Sequence, residues 1–425
     1  MKVAKGYKQT ELGAIPEDWQ IVSLGELFDF KNGLNKEKKY FGYGTPIVNY
    51  MDVYKNRSIN ENNIGGKVFL SKQEIKNYEV RQGDVFFTRT SETVEEVGMT
   101  SVVLDPLENT VFSGFVLRAR PKNEKLNNDF KKYCFSSTTT RKEIVSNSTY
   151  TTRALTNGKA LSKVKIAIPI SIDEQLVIAN ALSETDALIA NLEKLIVKKQ
   201  NIRQAAMQVL LTGKKRLKGF KGEWKKMTLK QVGECIRGVS YNGDNDLSEL
   251  ETHKTCRLFR SNNIQNGKIE FTNVQYVRDY RVNNKQYMQP NDILICMANG
   301  SKELVGKAAI FNATNAKYTF GAFMGCFRTL VDSVDKRFIY YNFCTYNYRT
   351  HIDILLSGSS INNLKPSDIE SIEILVPTFS EQQAITAVLS DMDSEIEALQ
   401  QQLSKYKLMK EGMMQDLLTG KVRLI

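Results

Sequence analysis

The sequence predicts an α+β fold: two tandem copies of a β-rich mixed globular domain, each followed by a long α-helix. The two helices are expected to pack as an antiparallel coiled coil with pseudo-two-fold symmetry. Three observations carry this expectation. The segments LLTGKKRL (210–217) and LLTGKVRL (417–424) recur at an offset of 207 residues. The first part of each copy reads as short apolar runs entered from turns, the signature of strands. Residues 173–211 contain neither Pro nor Gly and place apolar side chains on a heptad register.

The repeat extends well beyond its most obvious segment. DEQLVIANALSETD (173–186) matches SEQQAITAVLSDMD (380–393) at the same offset of 207. At offset 208, Asp84 pairs with Asp292, Val97-Gly98 with Val305-Gly306, Phe112 with Phe320 and Phe115 with Phe323. Phe130 with Phe338, Tyr133 with Tyr341, Phe135 with Phe343, Arg141 with Arg349 and Pro169 with Pro377 follow at that spacing. Trp19, Leu24 and Gly33 pair with Trp224, Leu229 and Gly238 at offset 205. A period this long marks a duplicated domain rather than a solenoid repeat, and two linked copies can pack about a pseudo-two-fold axis. Residues 34–80 match 239–288 poorly, as a duplicated scaffold with diverged working surfaces would. The expected boundaries are a first globular domain at 1–162, a first scaffold region at 163–222, a second domain at 223–366 and a second scaffold region at 367–425.

Within each copy, VRQGDVFFTR (80–89) and MQPNDILICM (288–297) place a turn before an apolar strand. A second strand follows at 99–104 or 307–311, after the polar loops 90–98 and 298–306. One helix is expected over 129–145 and its partner over 337–356, with Phe/Tyr three apart on one face, a pattern that reads as core packing. A last strand at 163–170 or 369–377 leads into the long helix, for which Asp173 and Ser380 are suitable N-caps. The seam comprises Ile189, Leu192, Ile196, Ala206 and Leu210, then Ile396, Leu399, Leu403, Met413 and Leu417. Both copies carry a basic residue in the register, Arg203 and Lys410. A helix of about 38 residues spans ~57 Å, and Gly213 and Gly420 are placed to end the two.

Composition narrows the function class. No stretch approaches the ~20 apolar residues that cross a bilayer, and the basic N-terminal residues have no apolar core behind them, so a cytoplasmic location is expected. The six cysteines form no CxxC pair and there are only two histidines, which argues against a disulfide framework or a zinc site. No Walker A sequence and no GxGxxG after a strand is present. The only near miss to an adenine-methylating Asp/Asn-Pro-Pro-aromatic motif is DPL (105–107). Asp84 and Asp292 sit at strand starts, where turn formation explains them. Neither histidine recurs in the other copy, so a histidine base is not expected. The net charge is +12, and KKRLKGFKGEWKK (214–226), with Lys214, Lys215, Lys218 and Lys221, supplies +6 of it. Such a surplus points to a polyanionic partner or, for the run alone, to a solvated linker.

GYKQTELGAIPEDW (6–19), GDVFF (83–87), IPISIDEQ (168–175), LLTGKKRLKGFKGEWK (210–225), LVPTFSEQQ (375–383) and LLTGKVRL (417–424), in this order and duplicated, carry a family resemblance. Over essentially its full length the chain resembles a specificity subunit of a type I restriction–modification enzyme. The resemblance implies two target-recognition domains, each reading half of a split double-stranded DNA site, joined by long antiparallel helices. It implies two modification subunits that bind S-adenosylmethionine and methylate adenine, and a separate motor-nuclease (restriction) subunit; this chain itself is expected to bind no cofactor and no metal and to catalyse nothing. Candidate reading elements are the loops 88–98 and 296–306 and the tracts 148–159 and 357–365. They supply Arg89, Thr90, Ser91, Thr152, Arg153, Asn299, Ser301, Lys302, Ser360, Asn362 and Asn363. Arg suits guanine, Asn suits adenine, and Ser or Thr suits phosphate or either base. Two other readings share the composition: a stand-alone duplicated DNA-binding regulator, and a coiled-coil scaffold whose basic surface is incidental.

Overall fold

The computed structural model describes residues 4–358 and 362–424. By contact the chain divides into two compact units, Met1–Glu193 with Gln401–Ile425, and Lys194–Gln400.

In the first unit, Phe28–Asn32, Val116–Pro121, Val85–Thr88, Thr100–Val103 and Ser58–Ile59 lie side by side in that order in a five-stranded sheet. The neighbours are antiparallel except the last pair. A three-stranded sheet (Val111–Phe112, Phe41–Val48, Gly66–Val68) packs nearby, and Lys165–Pro169 pairs with Trp19–Ser23. The second unit repeats the main sheet as Gly233–Arg237, Met324–Thr329, Ile293–Cys296 and Ala308–Ile310, and pairs Lys225–Thr228 with Glu373–Val376.

The expected strands are present, but each expected mid-domain helix is two helices. Asn128–Cys134 and Thr138–Ser146 are separated where the Ser137 side chain accepts from Thr140 N. Lys336–Phe343 and Tyr346–Ser357 are separated where Thr345 accepts from Tyr348 N. A hydroxyl that satisfies the first free N–H groups starts a new helix at that point.

The long helices are α1 (Ile172–Leu210) and α2 (Phe379–Leu417). Each begins earlier than expected. Ser171 Oγ accepts from Glu174 N at 3.3 Å, and Glu381 N and Gln382 N donate to the Thr378 carbonyl at 2.9 and 3.0 Å. Asp173 and Ser380 therefore lie in the first turn, where Asp173 still complements the helix dipole. Both helices end before a left-handed glycine, Gly213 (φ 69°) and Gly420 (φ 70°).

The seam residues face inward: Leu192, Ile196, Leu210, Ile396 and Leu417 are buried, and Ile189, Ala206, Leu399, Leu403 and Met413 are half-buried. In the first unit, Ile178, Ala179 and Leu182 of α1 join Met414 and Leu417 of α2 in the core around Trp19, Phe28 and Phe130. Lys407 bonds Glu193 at 2.7 Å, and Lys410 bonds Asp186, so the two stretches run antiparallel. In the second unit, Met207 and Leu210 share a core with Ile385 and Leu389. There Lys199 bonds Glu395 at 2.5 Å and Arg203 bonds Asp393. The basic register positions Arg203 and Lys410 thus each meet an aspartate.

Candidate nucleic-acid interface

The loop and tract predicted in each copy come together. In the first unit, Thr90–Ser91 pairs with Ala154–Leu155, which pairs with Thr149–Tyr150, so loop 88–98 and tract 148–159 share one small sheet. In the second unit, Ala298 bridges Asn363, and Asn299 N donates to Asn362 O at 3.3 Å. Leu364 N also donates to Met297 O at 2.8 Å. Ala298 and Asn363 are the repeat counterparts of Thr90 and Leu155 at offset 208.

Each loop is clamped from beneath by the same residue pair. Arg141 donates to the carbonyls of Glu95, Val97 and Gly98 at 2.7, 2.5 and 2.9 Å, and Arg349 donates to Val305 O at 2.6 Å. Burial pushes the Arg141 pKa below its usual value, as expected for a cation held by carbonyl dipoles rather than a carboxylate. Gly98 and Gly306 take positive φ (67° and 82°), and a Cβ there would stand 2.7 Å from Ile144 Cγ2 or 2.8 Å from Ile352 Cγ2. Only glycine fits both constraints.

On this scaffold the predicted residues separate into two sets. Thr152, Arg153, Ser301 and Asn363 are exposed; Arg153 lies 4.0 Å from Glu92. The others hold the loops. Ser91 is buried and accepts from Thr93 N at 3.3 Å, with Thr90 half-buried beside it. Arg89 donates to Gly114 O at 2.8 Å, while its buried Nε has no partner. Asn299 accepts from Ser301 N at 2.9 Å and donates to Ser261 Oγ at 3.1 Å. Asn362 donates to Gly300 O at 3.1 Å, and Lys302 to Ser357 Oγ at 3.2 Å. Ser360 lies outside the described residues. Beside the first loop, Arg89, Lys122 and Lys159 line a cavity of about 440 Å³ with Asn32, Asn157 and Asp29.

In the basic segment, Lys214, Lys215, Lys218 and Lys221 are exposed. Arg216 is instead turned inward onto buried Glu381 through contacts of 2.9 and 2.6 Å. Its repeat counterpart Arg423 binds Glu174 at 2.5 and 2.9 Å. Sequence reasoning passed over these four residues, although their recurrence in LLTGKxRL and in the EQ of 174–175 and 381–382 was the available signal.

Asp84 and Asp292 are buried structural groups. Arg120 chelates Asp84 at 2.8 and 2.7 Å, Arg328 chelates Asp292 at 2.9 and 2.6 Å, and each aspartate also accepts a backbone N–H of its own turn. Burial drives the Cys235 thiol up to about 12 and those of Cys296 and Cys344 up to about 11, far from thiolate character at neutral pH. Among the described residues no His/Cys/Asp/Glu cluster could hold a metal, and no helix is long and apolar enough to cross a membrane.

The sequence profile of the type I restriction modification DNA specificity domain matches residues 16–219 and again 221–405. The chain belongs to this family. It is a specificity subunit, the non-catalytic member of a type I restriction–modification system. This specificity subunit is 25% identical over 440 residues to the putative type I restriction enzyme MjaX specificity subunit of Methanocaldococcus jannaschii, covering 99% of this chain and 97% of that one. It is 30% identical over 204 residues to the EcoKI specificity subunit of Escherichia coli, covering 47% of this chain and 42% of that one. Its fold matches the Type-I restriction-modification system S subunit from M. genitalium with a TM-score of 0.57 at 15% identity, covering 98% of both chains. A chain solved in work on complex assembly and conformational transition of the type I R-M system matches at a TM-score of 0.58 and 16% identity, over 96% of this chain and 99% of that one.

Proposed function

We propose that this specificity subunit recognises a bipartite, asymmetric site in double-stranded DNA, residues 1–162 reading one half and 223–366 the other. In this reading it directs adenine methylation and restriction by its partners, two modification subunits and a motor-nuclease subunit. S-adenosylmethionine belongs to the modification subunits, and this chain's part is to bind and orient DNA. The observation that carries the reading is the pair of clamped loop platforms. The same residue types build both, half-buried Arg141 with buried Gly98 and half-buried Arg349 with buried Gly306, yet the exposed side chains differ. One platform offers Thr152 and Arg153 and the other Ser301 and Asn363, so two like readers would recognise unlike sequences. We also propose that α1 and α2 pack as an antiparallel coiled coil with pseudo-two-fold symmetry. The buried seam positions support this, as do the aspartate partners of Arg203 and Lys410.

The experiment is an exchange of residues 19–160 for the same region of a relative with a different target, followed by base-resolution mapping of methylated adenines in cells. Half of the motif should change and the other half stay. A change in both halves, or in neither, contradicts modular reading.

A further inference from the structure

Most apolar residues shared by the two copies are explained by packing: Phe112, Phe320, Phe130, Phe338, Phe135 and Phe343 are all buried. Phe115 and Phe323 recur at the same offset of 208, yet they are 68% and 72% exposed. No packing role accounts for a large ring kept in both units and left in solvent in both.

The backbone beneath each ring is built to hold it there. Phe115 is the third residue of a turn closed by Val116 N donating to Ser113 O at 3.1 Å, and Phe323 is the third residue of one closed by Met324 N donating to Gly321 O at 2.8 Å. Parallel bridges pin the turns, Leu34 to Ser113 and Val239 to Gly321. Behind them stand Gly33 and Gly238, where a Cβ would come within 2.1 Å of Ser113 O or 2.0 Å of Gly321 O. The turns are also tied to the reading loops. Arg89 N donates to Phe115 O at 3.3 Å, and Met297 N and Ala298 N donate to Phe323 O at 2.9 and 3.0 Å. In the first unit the neighbouring chemistry is cationic. The cavity lined by Arg89, Lys122 and Lys159 against the single carboxylate of Asp29 adjoins this turn through Arg89, which also grips Gly114.

We infer that Phe115 and Phe323 are DNA-contacting residues, each ring pressing against a base step at its own half-site while the adjoining loop reads base edges. An aromatic ring on a fixed turn beside cations suits a base stack flanked by phosphates. Lys122 meets Asp29 at 3.2 Å, so in the first unit three cations share one carboxylate, and that surplus of positive charge beside the ring favours a polyanion over the apolar face of a protein partner. The inference rests on the DNA-reading function proposed above.

The test uses the complex of this chain with its modification subunits, and duplexes carrying either the motif mapped for the wild type or a scrambled motif. F115A and F323A should each weaken binding to the mapped motif by about tenfold or more, the scale of one lost base–aromatic stack. F115W and F323W should retain binding, and all four variants should melt with the wild type because the rings are exposed. Wild-type affinity in both alanine variants overturns the inference. So does loss of modification subunits from the complex with unchanged DNA affinity in the fraction still assembled, which would make this a protein-binding face. If the wild-type complex prefers neither duplex, the proposed function itself has failed, and that outcome is read before any variant is made.

Discussion

Removing the Arg423 guanidinium should unfold the first unit far more readily than its position near the end of the chain suggests. Glu174 is 4% exposed at its side chain and Arg423 24%, and the two are joined by contacts of 2.5 and 2.9 Å. Trp19 Nε1 also donates to that carboxylate, at 3.3 Å. The substitution Arg423→Met keeps the alkyl stem but leaves Glu174 charged, buried and held only by an indole N–H. Breaking a buried pair from one side costs about 3–5 kcal/mol. Partial exposure of the arginine puts the expected loss near the lower end, about 3 kcal/mol. The outer pair of Arg423 with Asp18, at 2.8 and 2.9 Å, is largely solvated and adds at most about 1 kcal/mol. Adding Glu174→Gln removes the stranded charge while the amide oxygen still accepts from Trp19, so the double variant should recover most of the loss. The chain has two tryptophans, Trp19 in the first unit and Trp224 in the second. Guanidinium unfolding followed by fluorescence in a Trp224→Phe background therefore reports on the first unit. A loss below about 1 kcal/mol for Arg423→Met, or no recovery on adding Glu174→Gln, would refute a charge pair that holds the chain's last residues to this unit.

Neutralising Lys214, Lys215, Lys218 and Lys221 to Gln should weaken DNA binding about equally on specific and random duplexes and flatten the salt dependence, each lost phosphate contact reducing the slope by ~0.9; unchanged affinity at low salt would make the segment a solvated linker. Lys131, 4% exposed, has its pKa pushed by burial from 10.5 down to about 8. The unfolded state therefore binds the extra proton between about 8 and 10.5, and stability should rise with pH across that window. Lys131→Met should accordingly stabilise the first unit at pH 7 by an amount that shrinks by pH 10, measured by denaturant unfolding at the two values. Charge reversal at either Asp186 or Lys410 should destabilise that unit by about 1–2 kcal/mol, and the double swap should restore part of the loss; additive single effects in the cycle would mean the two side chains do not interact.

Much of this architecture was legible because the duplication repeats the residues that a fold cannot easily exchange. Trp19, Phe130, Tyr133 and Asp84 recur because they are buried, and the heptad positions of α1 and α2 are buried or half-buried as their period required. The helix breaks at Ser137 and Thr345 were not legible, since a hydroxyl inside an amphipathic stretch reads the same whether it caps a new helix or faces solvent. For the proposed reading residues, the sequence pointed to loop and tract, which lie together in each unit, but not to which side chains stay free. Arg89, Ser91 and Asn299 spend their polar atoms on neighbouring loop atoms, pairings that depend on loop geometry and leave no periodic trace. Arg216 reads in sequence like the lysines around it, because a charge run shows no partner 165 residues away.

The division between repeated and diverged residues follows from what each substitution costs. The repeated polar residues form pairs around a buried carboxylate: Asp84 with Arg120, Asp292 with Arg328, Glu174 with Arg423 and Glu381 with Arg216. Losing one partner costs several kcal/mol, a large share of the ~5–15 kcal/mol that keeps a domain folded. Thr152, Arg153, Ser301 and Asn363 are exposed, where substitutions typically shift stability by no more than ~0.5 kcal/mol. Each pair of loops can thus change without loosening the platform that holds it. Under the proposed function, two readers that began as copies are then free to drift toward different sequences, which is the physical basis for proposing that the two halves of the DNA site are unlike.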